Sequence, residues 1–200
     1  MGGVNMDKFL ESAEKYYFHY PFPVTIVGTL YEDKSNFMAA AWHTQLSFDP
    51  PLYAVSISPK RYSKELIDKS GAFSLNFLKF DDYKLAGFVG RTSGRDHRKE
   101  EIFDIQYDIG TKLNVPVLKI AVGCYECKVV DKRPFGDHIL YVGEIVGIHY
   151  DSNYYKDGIS PDMLLYIGND MYTHAEGALV KFGKQEVQEV LKELKGKKEI

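Results

Sequence analysis

Residues 36–63 read NFMAAAWHTQLSFDPPLYAVSISPKRYS. Two apolar runs, Phe37–Trp42 and Leu52–Ser58, flank a break at Asp49-Pro50-Pro51, and the second run leads into a helix start. The connection between them is shorter than the dozen or more residues that a parallel crossover needs. These runs therefore belong to an antiparallel arrangement. Small residues, hydroxyls and one arginine gather at the ends of both runs, a composition suited to a phosphate with a flat group beside it.

Working outward, the same pattern repeats. Val24–Tyr31 is rich in β-branched residues and meets Phe37–Trp42 across the polar turn at residues 32–36, which predicts a hairpin. Ser63 predicts the N-cap of a helix through Lys69, with Gly71 ending it. Phe73–Leu78 is a further strand, Asp81 opens a second short helix, and residues 90–101 form a polar loop. Long strands are expected at Leu118–Val130 and Ile139–Tyr150, joined across residues 133–137, and a shorter strand near Met163–Ile167. Apolar spacing predicts amphipathic helices over 6–17 and 184–195. Strands outnumber helices and no internal repeat divides the chain. The expected fold is mainly β, a single domain over residues 1–200 built as an antiparallel barrel with peripheral helices.

Composition limits the function. The net charge of −3 offers no basic excess for nucleic acid or an anionic membrane surface. No stretch is apolar and long enough to span a bilayer and no signal-peptide pattern opens the sequence, so a cytoplasmic protein is expected. Cys124 and Cys127 form a Cys-x-x-Cys within a strand-like run. Residues three apart on a strand point to opposite faces, so a redox pair or zinc site gives way to two structural thiols. Motifs for a Rossmann fold, a Walker loop or an α/β-hydrolase are missing.

The chemistry concentrates in a few residues. On a strand, Ser56 and Ser58 share the face opposite Val55 and Ile57. Pro59 ends that strand, and Arg61 stands beside a helix N-terminus, whose free N–H groups favour an anion. Ala39, Ala40 and Ala41 before Trp42-His43-Thr44 would let a planar ring approach the backbone. Asn76 is polar within an apolar strand, which makes it either a network residue or a ligand contact. His138 follows Asp137 where a turn meets a strand, a place from which it can steer a proton. His43, His138 and His174 lack the spacing of a metal site.

Several of these segments, taken in order, resemble a known family. They are NFMAAAWHT (36–44), SFDPPL (47–52), SIS (56–58), RYS (61–63), FSLNFL (73–78), GRTSGRD (90–96), ECK (126–128) and GDHILYVGE (136–144). Their order resembles that of the flavin reductase-like, FMN-binding split-barrel proteins, which include flavoredoxins and archaeal ferric reductases, over roughly Tyr20 to Gly168. The resemblance implies a homodimer of six-stranded antiparallel Greek-key barrels with FMN near the subunit interface. Ala40, Ala41, Trp42, His43 and Thr44, with Asn76, Phe77 and Leu78, would line the flavin ring and ribityl chain. Ser56, Ile57, Ser58, Arg61, Tyr62 and Ser63 would surround the phosphate, and His138 would be the catalytic residue on the nicotinamide side. The 91–99 loop becomes a candidate for contacts with the cofactor or with a dinucleotide phosphate. The implied activity is an oxidoreductase that accepts hydride from NAD(P)H and passes electrons to a flavin, a ferric chelate or a protein acceptor. The alternatives are a non-enzymatic FMN electron carrier of the flavoredoxin kind, and a barrel for another ligand such as pyridoxal phosphate or haem.

Overall fold

The computed structural model describes residues 18–155 and 162–175; the helices expected over 6–17 and 184–195 lie outside them. The chain forms strands β1 (Phe22–Pro23), β2 (Thr25–Tyr31), β3 (Lys34–Ala40), β4 (His43–Phe48), β5 (Pro51–Ile57) and β6 (Ala72–Phe77). After these come β7 (Tyr107–Ile109), β8 (Pro116–Leu118), β9 (Gly123–Phe135), β10 (His138–Tyr150), β11 (Leu165–Gly168) and β12 (Met171–Thr173). Helices α1 (Tyr62–Ser70), α2 (Tyr83–Arg91) and α3 (Lys99–Ile102) lie between strands. No helix among the described residues is long and apolar enough to cross a membrane.

The largest sheet has the order β3-β2-β6-β9-β10-β5-β4, and every neighbouring pair in it is antiparallel. Its two edges, β3 and β4, are consecutive in the chain and separated only by Ala41 and Trp42. Laid flat, seven strands would hold those edges about 29 Å apart, whereas the three steps from Ala40 to His43 reach at most about 11 Å. The sheet must therefore curl until its edges meet. With β3 and β4 counted as one bent strand, the result is a six-stranded barrel. The backbone N–H of Ser56 donates to Trp42 O at 2.9 Å and pins the bend to β5. In the sheet order β9 and β10 separate β5 from β6, so the α1 connection gives the Greek-key crossing.

Apolar side chains fill both sides of this wall. Val27, Val55, Ile57, Phe73, Leu75, Phe77, Cys127 and Tyr141 form the barrel core. Ile26, Phe37, Leu78, Ala86, Val89 and Leu118 form a second cluster that includes α2 side chains. Alternation along β2 sends Val27 to one cluster and Ile26 to the other, as a strand covered on both faces requires. Gly71 ends α1 in the left-handed region at φ 68°, and its N–H donates to Ile67 O, as expected of a glycine C-cap.

Several expected boundaries move. β4 was not anticipated as a strand, and β9 begins at Gly123 and absorbs Arg133–Phe135, leaving a two-residue turn at Gly136–Asp137. The 90–101 segment is not all loop, since α2 runs to Arg91 and α3 begins at Lys99. Ser63 is not the N-cap: Arg61 is, without a side-chain cap bond. Ser63 is fully buried, and its Oγ accepts a hydrogen bond from Asn36 Nδ2 at 2.8 Å. Cys124 and Cys127 are both free and buried, and burial pushes the Cys124 thiol up to about 12 and the Cys127 thiol higher still.

Candidate functional site

Barrel closure opens a cleft of about 550 Å³ at the β3–β4 bend. Ala39, Ala40, Ala41 and Trp42 line it from the bend, and Ser56, Ile57 and Ser58 from the end of β5. Val55 and Ile57 send their side chains into the barrel core, which leaves Ser56 and Ser58 on the cleft side of the strand. His138, the first residue of β10, closes one end. Its ring lies 4.8 Å from the Trp42 ring, and its Nδ1 is 2.7 Å from Asp137 Oδ1. A carboxylate only accepts, so Nδ1 carries the proton and Nε2 is the nitrogen left to exchange one. The same interaction holds the Asp137 carboxyl below the usual carboxylate range.

Aromatic rings make the opposite wall. Trp42 Nε1 donates to Tyr20 Oη at 3.1 Å, Tyr20 packs edge-on against Tyr166 at 5.6 Å, and Tyr166 lies 5.5 Å from Tyr172. The β11–β12 hairpin carrying Tyr166 and Tyr172 is tied to the end of α2 by the Arg91–Asp170 ion pair. A planar ring entering here meets small side chains on one side and aromatic ones on the other.

At Arg61 and Arg91 the cleft opens into a smaller pocket of about 180 Å³. Lys60, Arg61, Arg91, Arg95 and Lys99 line it together with Tyr62, Ser63, Thr92 and Ser93. Arg95 is committed to Glu65 and to Lys60 O, and its guanidinium lies over the Tyr62 ring. Lys60, Arg61 and Lys99 have no carboxylate within ion-pair distance among the described residues. Lys99 is only 3% exposed, and its ammonium donates to Phe37 O at 2.7 Å and Val89 O at 2.8 Å. Burial, and then the charge of Arg61, pull its pKa down to about 8. Three cations with no ion-pair partner among the described residues, beside the N-terminus of α1, suit a phosphate. Gly94 lets the loop close over the pocket, because a Cβ there would fall 2.1 Å from Asn36 Oδ1. That oxygen is buried without a hydrogen-bond partner, an acceptor available to a ligand hydroxyl.

Not every expected contact lies here. His43 points inward: Nε2 donates to Pro23 O at 2.9 Å, and Nδ1 accepts from Tyr53 Oη at 2.8 Å. Burial lowers its pKa, so it is a neutral interior imidazole. Thr44 is exposed and bonds only Gln45 O. Asn76 is fully buried and fully used, with Nδ2 donating to Ile26 O and Ser74 Oγ while Oδ1 accepts from Leu118 N. Phe77 is in the barrel core and Leu78 in the second cluster, and the carbonyls of both accept backbone bonds, from Val122 and Leu164. The side chains of His43, Thr44, Asn76, Phe77 and Leu78 are therefore outside the cleft.

Conversely, the sequence does not single out Lys60, Asn36 or the cleft tyrosines, and it marks Lys99 only as the end of the 91–99 loop, which lines the smaller pocket. Lys99 sits in a charge run next to Glu100 and Glu101, where the pattern of a solvated face hides a buried lysine. The histidines do not converge: His43 bonds Tyr53, His138 bonds Asp137, and His174 stacks on Phe80 at 4.6 Å.

Comparison with known proteins agrees with this geometry. The family model described as "Flavin reductase like domain" matches residues 17–175. A ferric-chelate reductase (NAD(P)H) of Archaeoglobus fulgidus is 32% identical over 142 residues, covering 70% of this chain and 73% of that protein. An FMN-binding protein of Thermus thermophilus, solved with bound p-hydroxybenzaldehyde, superposes with a TM-score of 0.78 at 33% identity, covering 90% of this chain and all of that one. Flavoredoxin of Methanosarcina acetivorans gives a TM-score of 0.78 at 26% identity, covering 90% of this chain and 99% of that one. The chain belongs to the flavin reductase-like domain family and folds as its split barrel.

Proposed function

We propose that the cleft binds FMN and that the protein is an FMN-dependent oxidoreductase, taking hydride from NAD(P)H and passing electrons to a flavin, a ferric chelate or a protein. The observation that carries this reading is the joined pair of cavities. An aromatic-walled cleft floored by Ala40 and Ala41 runs, through the shared Arg61, into a pocket lined by five cations, of which Arg91 and Arg95 are paired with carboxylates. The ring of FMN suits the first and its phosphate the second. Bound FMN supplies the two-electron chemistry; the protein supplies position and charge.

In this reading Arg61 and Lys99 hold the phosphate, with Ser56 and Ser58 toward the ribityl chain. Tyr62 and the buried Ser63 support the pocket wall. Ala40 and Ala41 admit the ring close to the backbone, and Trp42 keeps the His138 imidazole at the cleft edge. His138 Nε2 holds or releases a proton there, because Asp137 fixes its Nδ1–H. The Thermus thermophilus relative, an FMN-binding protein also solved with bound p-hydroxybenzaldehyde, supports the FMN reading.

Exposed apolar side chains near the bend, Trp42, Leu46 and Phe48, support a homodimer that covers this face; Phe48 is 87% exposed. Light scattering of the purified protein at a mass near twice 22.8 kDa is the expected result.

The test of the cofactor is the visible spectrum. The purified protein should be yellow, or become so on adding FMN, and NADPH or NADH should bleach it anaerobically. Binding of FMN without bleaching by either nucleotide favours the second reading, an electron carrier reduced by a protein partner, which the likeness to flavoredoxin supports. Stopped-flow reduction by nicotinamide, set against reduction by a redox protein, separates the two. A colourless protein that never takes up FMN overturns both and leaves another ligand, such as pyridoxal phosphate or haem.

A further inference from the structure

Lys99 is an unusual choice for a phosphate pocket. Its stem is buried and two backbone carbonyls fix its ammonium, Phe37 O from β3 and Val89 O from α2. Among the described residues no carboxylate is left to compensate it. From the start of α1 come Lys60 and Arg61, while Glu65 is already engaged by Arg95. From the end of α2 comes Arg91, taken by Asp170. On its own helix, Glu100 and Glu101 are both held by Arg98. Buried beside a second cation, an ammonium is disfavoured; beside a dianion it is restored. The empty pocket therefore holds the Lys99 proton less tightly than the filled one.

We propose that the pocket takes up its phosphate together with a proton, which Lys99 Nζ receives, so that retention of the cofactor is linked to pH through this one residue. The proposal rests on the FMN reading for the identity of the phosphate, and on the geometry of Lys99 for the proton. The direction follows from linkage: where the anion-bound state holds more protons, binding weakens as pH rises.

With the free lysine near 8, about 0.7 proton should be taken up per FMN at pH 8.5, and almost none at pH 7, where the phosphate gives up about as much as Lys99 gains. FMN affinity should fall about tenfold between pH 7 and pH 9. The phosphate is about nine-tenths dianionic at pH 7 and almost wholly so from pH 8, since its second pKa is about 6.

The experiment is calorimetric titration of FMN into the full chain at pH 8.5, in buffers of different ionisation enthalpy, with riboflavin as the control lacking phosphate. Wild type should take up about 0.7 proton with FMN and none with riboflavin. Lys99→Arg keeps the charge but does not titrate, so it should hold FMN with uptake near zero and a flat pH profile. Lys99→Met should bind FMN more weakly at pH 7, also without uptake; if it fails to fold, the arginine variant alone decides.

Wild-type uptake near zero with FMN bound overturns the proposal. So does undiminished uptake by Lys99→Arg, or equal uptake with riboflavin. Failure of FMN to bind at all instead overturns the cofactor reading. The same titration with inorganic phosphate, a dianion at pH 8.5, then judges the pocket by itself: uptake supports proton-linked anion binding, and its absence overturns it.

Discussion

Replacing Glu126 tests how the barrel holds the 110–113 loop. Glu126 lies on β9 with its side chain fully buried, where a lone carboxylate would be far too costly to keep charged. Oε1 accepts from Thr111 N at 2.9 Å and His149 Nε2 at 2.7 Å; Oε2 accepts from Lys112 N at 2.9 Å and Leu113 N at 2.7 Å. The fit is close, since a Cβ at Gly110 would fall 2.4 Å from Oε2 and one at Gly147 2.8 Å from Oε1. Glu126→Ala strips three backbone donors and one imidazole of their acceptor. A buried orphan donor costs about 1–3 kcal/mol. Thr111 and Lys112 are exposed enough to recover water, so the expected loss is about 3–4 kcal/mol. Glu126→Gln should lose about half of that, because one amide oxygen cannot serve two pairs of donors. Urea unfolding reads the loss as a lower midpoint at unchanged slope.

The same site fixes a pH signature. Burial pushes the Glu126 carboxyl up, but the bonds from His149, Leu113, Lys112 and Thr111 outweigh it and hold the pKa below the ordinary value. A group depressed in the folded state stabilises above its unfolded pKa, about 4.3, and loses that contribution as pH falls through the folded value. The gap between wild type and Glu126→Gln should therefore stay constant near neutrality and narrow below about pH 4. A loss under about 1 kcal/mol for Glu126→Ala, or a gap unchanged down to pH 3, would refute the account.

Other consequences are quicker to check. Arg61→Ala removes a charge-assisted contact of about 1.5–3 kcal/mol and should weaken FMN retention about tenfold to a hundredfold by fluorescence titration; unchanged retention would mean that Arg61 does not meet the phosphate. For His138→Ala, reduction by NADPH should slow while the bound-flavin spectrum persists, and an unaltered rate would confine His138 to packing against Trp42. Cys124 and Cys127 should both resist a thiol reagent at pH 8 in the native protein and react together once it is unfolded, because burial keeps each protonated; fast native labelling of either would contradict the buried placement.

What could be read from the sequence was what depends on near neighbours. Period-two alternation correctly set Ser56 and Ser58 opposite Val55 and Ile57. The glycine that ends α1 is likewise local. Less legible was whatever a partner distant in the chain decides. For Asn76 the sequence leaves a network residue and a ligand contact both open, because the donor to its Oδ1 is Leu118, in a three-residue strand that no periodicity announces. His43 looked like a neighbour of the cofactor, yet Tyr53, from the adjoining strand, and the Pro23 carbonyl engage both ring nitrogens. Ser63 had the right chemistry for a cap and is used instead to hold Asn36.

Closure of the barrel explains why the site forms where it does. Only at Ala41 and Trp42 must one strand leave one edge of the sheet and join the other, and the bend exposes backbone that a regular ladder would cover. Small residues are needed there for the turn itself, and the same smallness admits a flat ring. The bond from Ser56 N to Trp42 O makes the bend and the hydroxyl-bearing end of β5 one unit. Beyond it, α1 begins at Arg61 and delivers the first cation. Fold and site are thus not separable here: a substitution that loosens the bend, such as a bulky residue for Ala41, displaces the cleft floor and the barrel seam together.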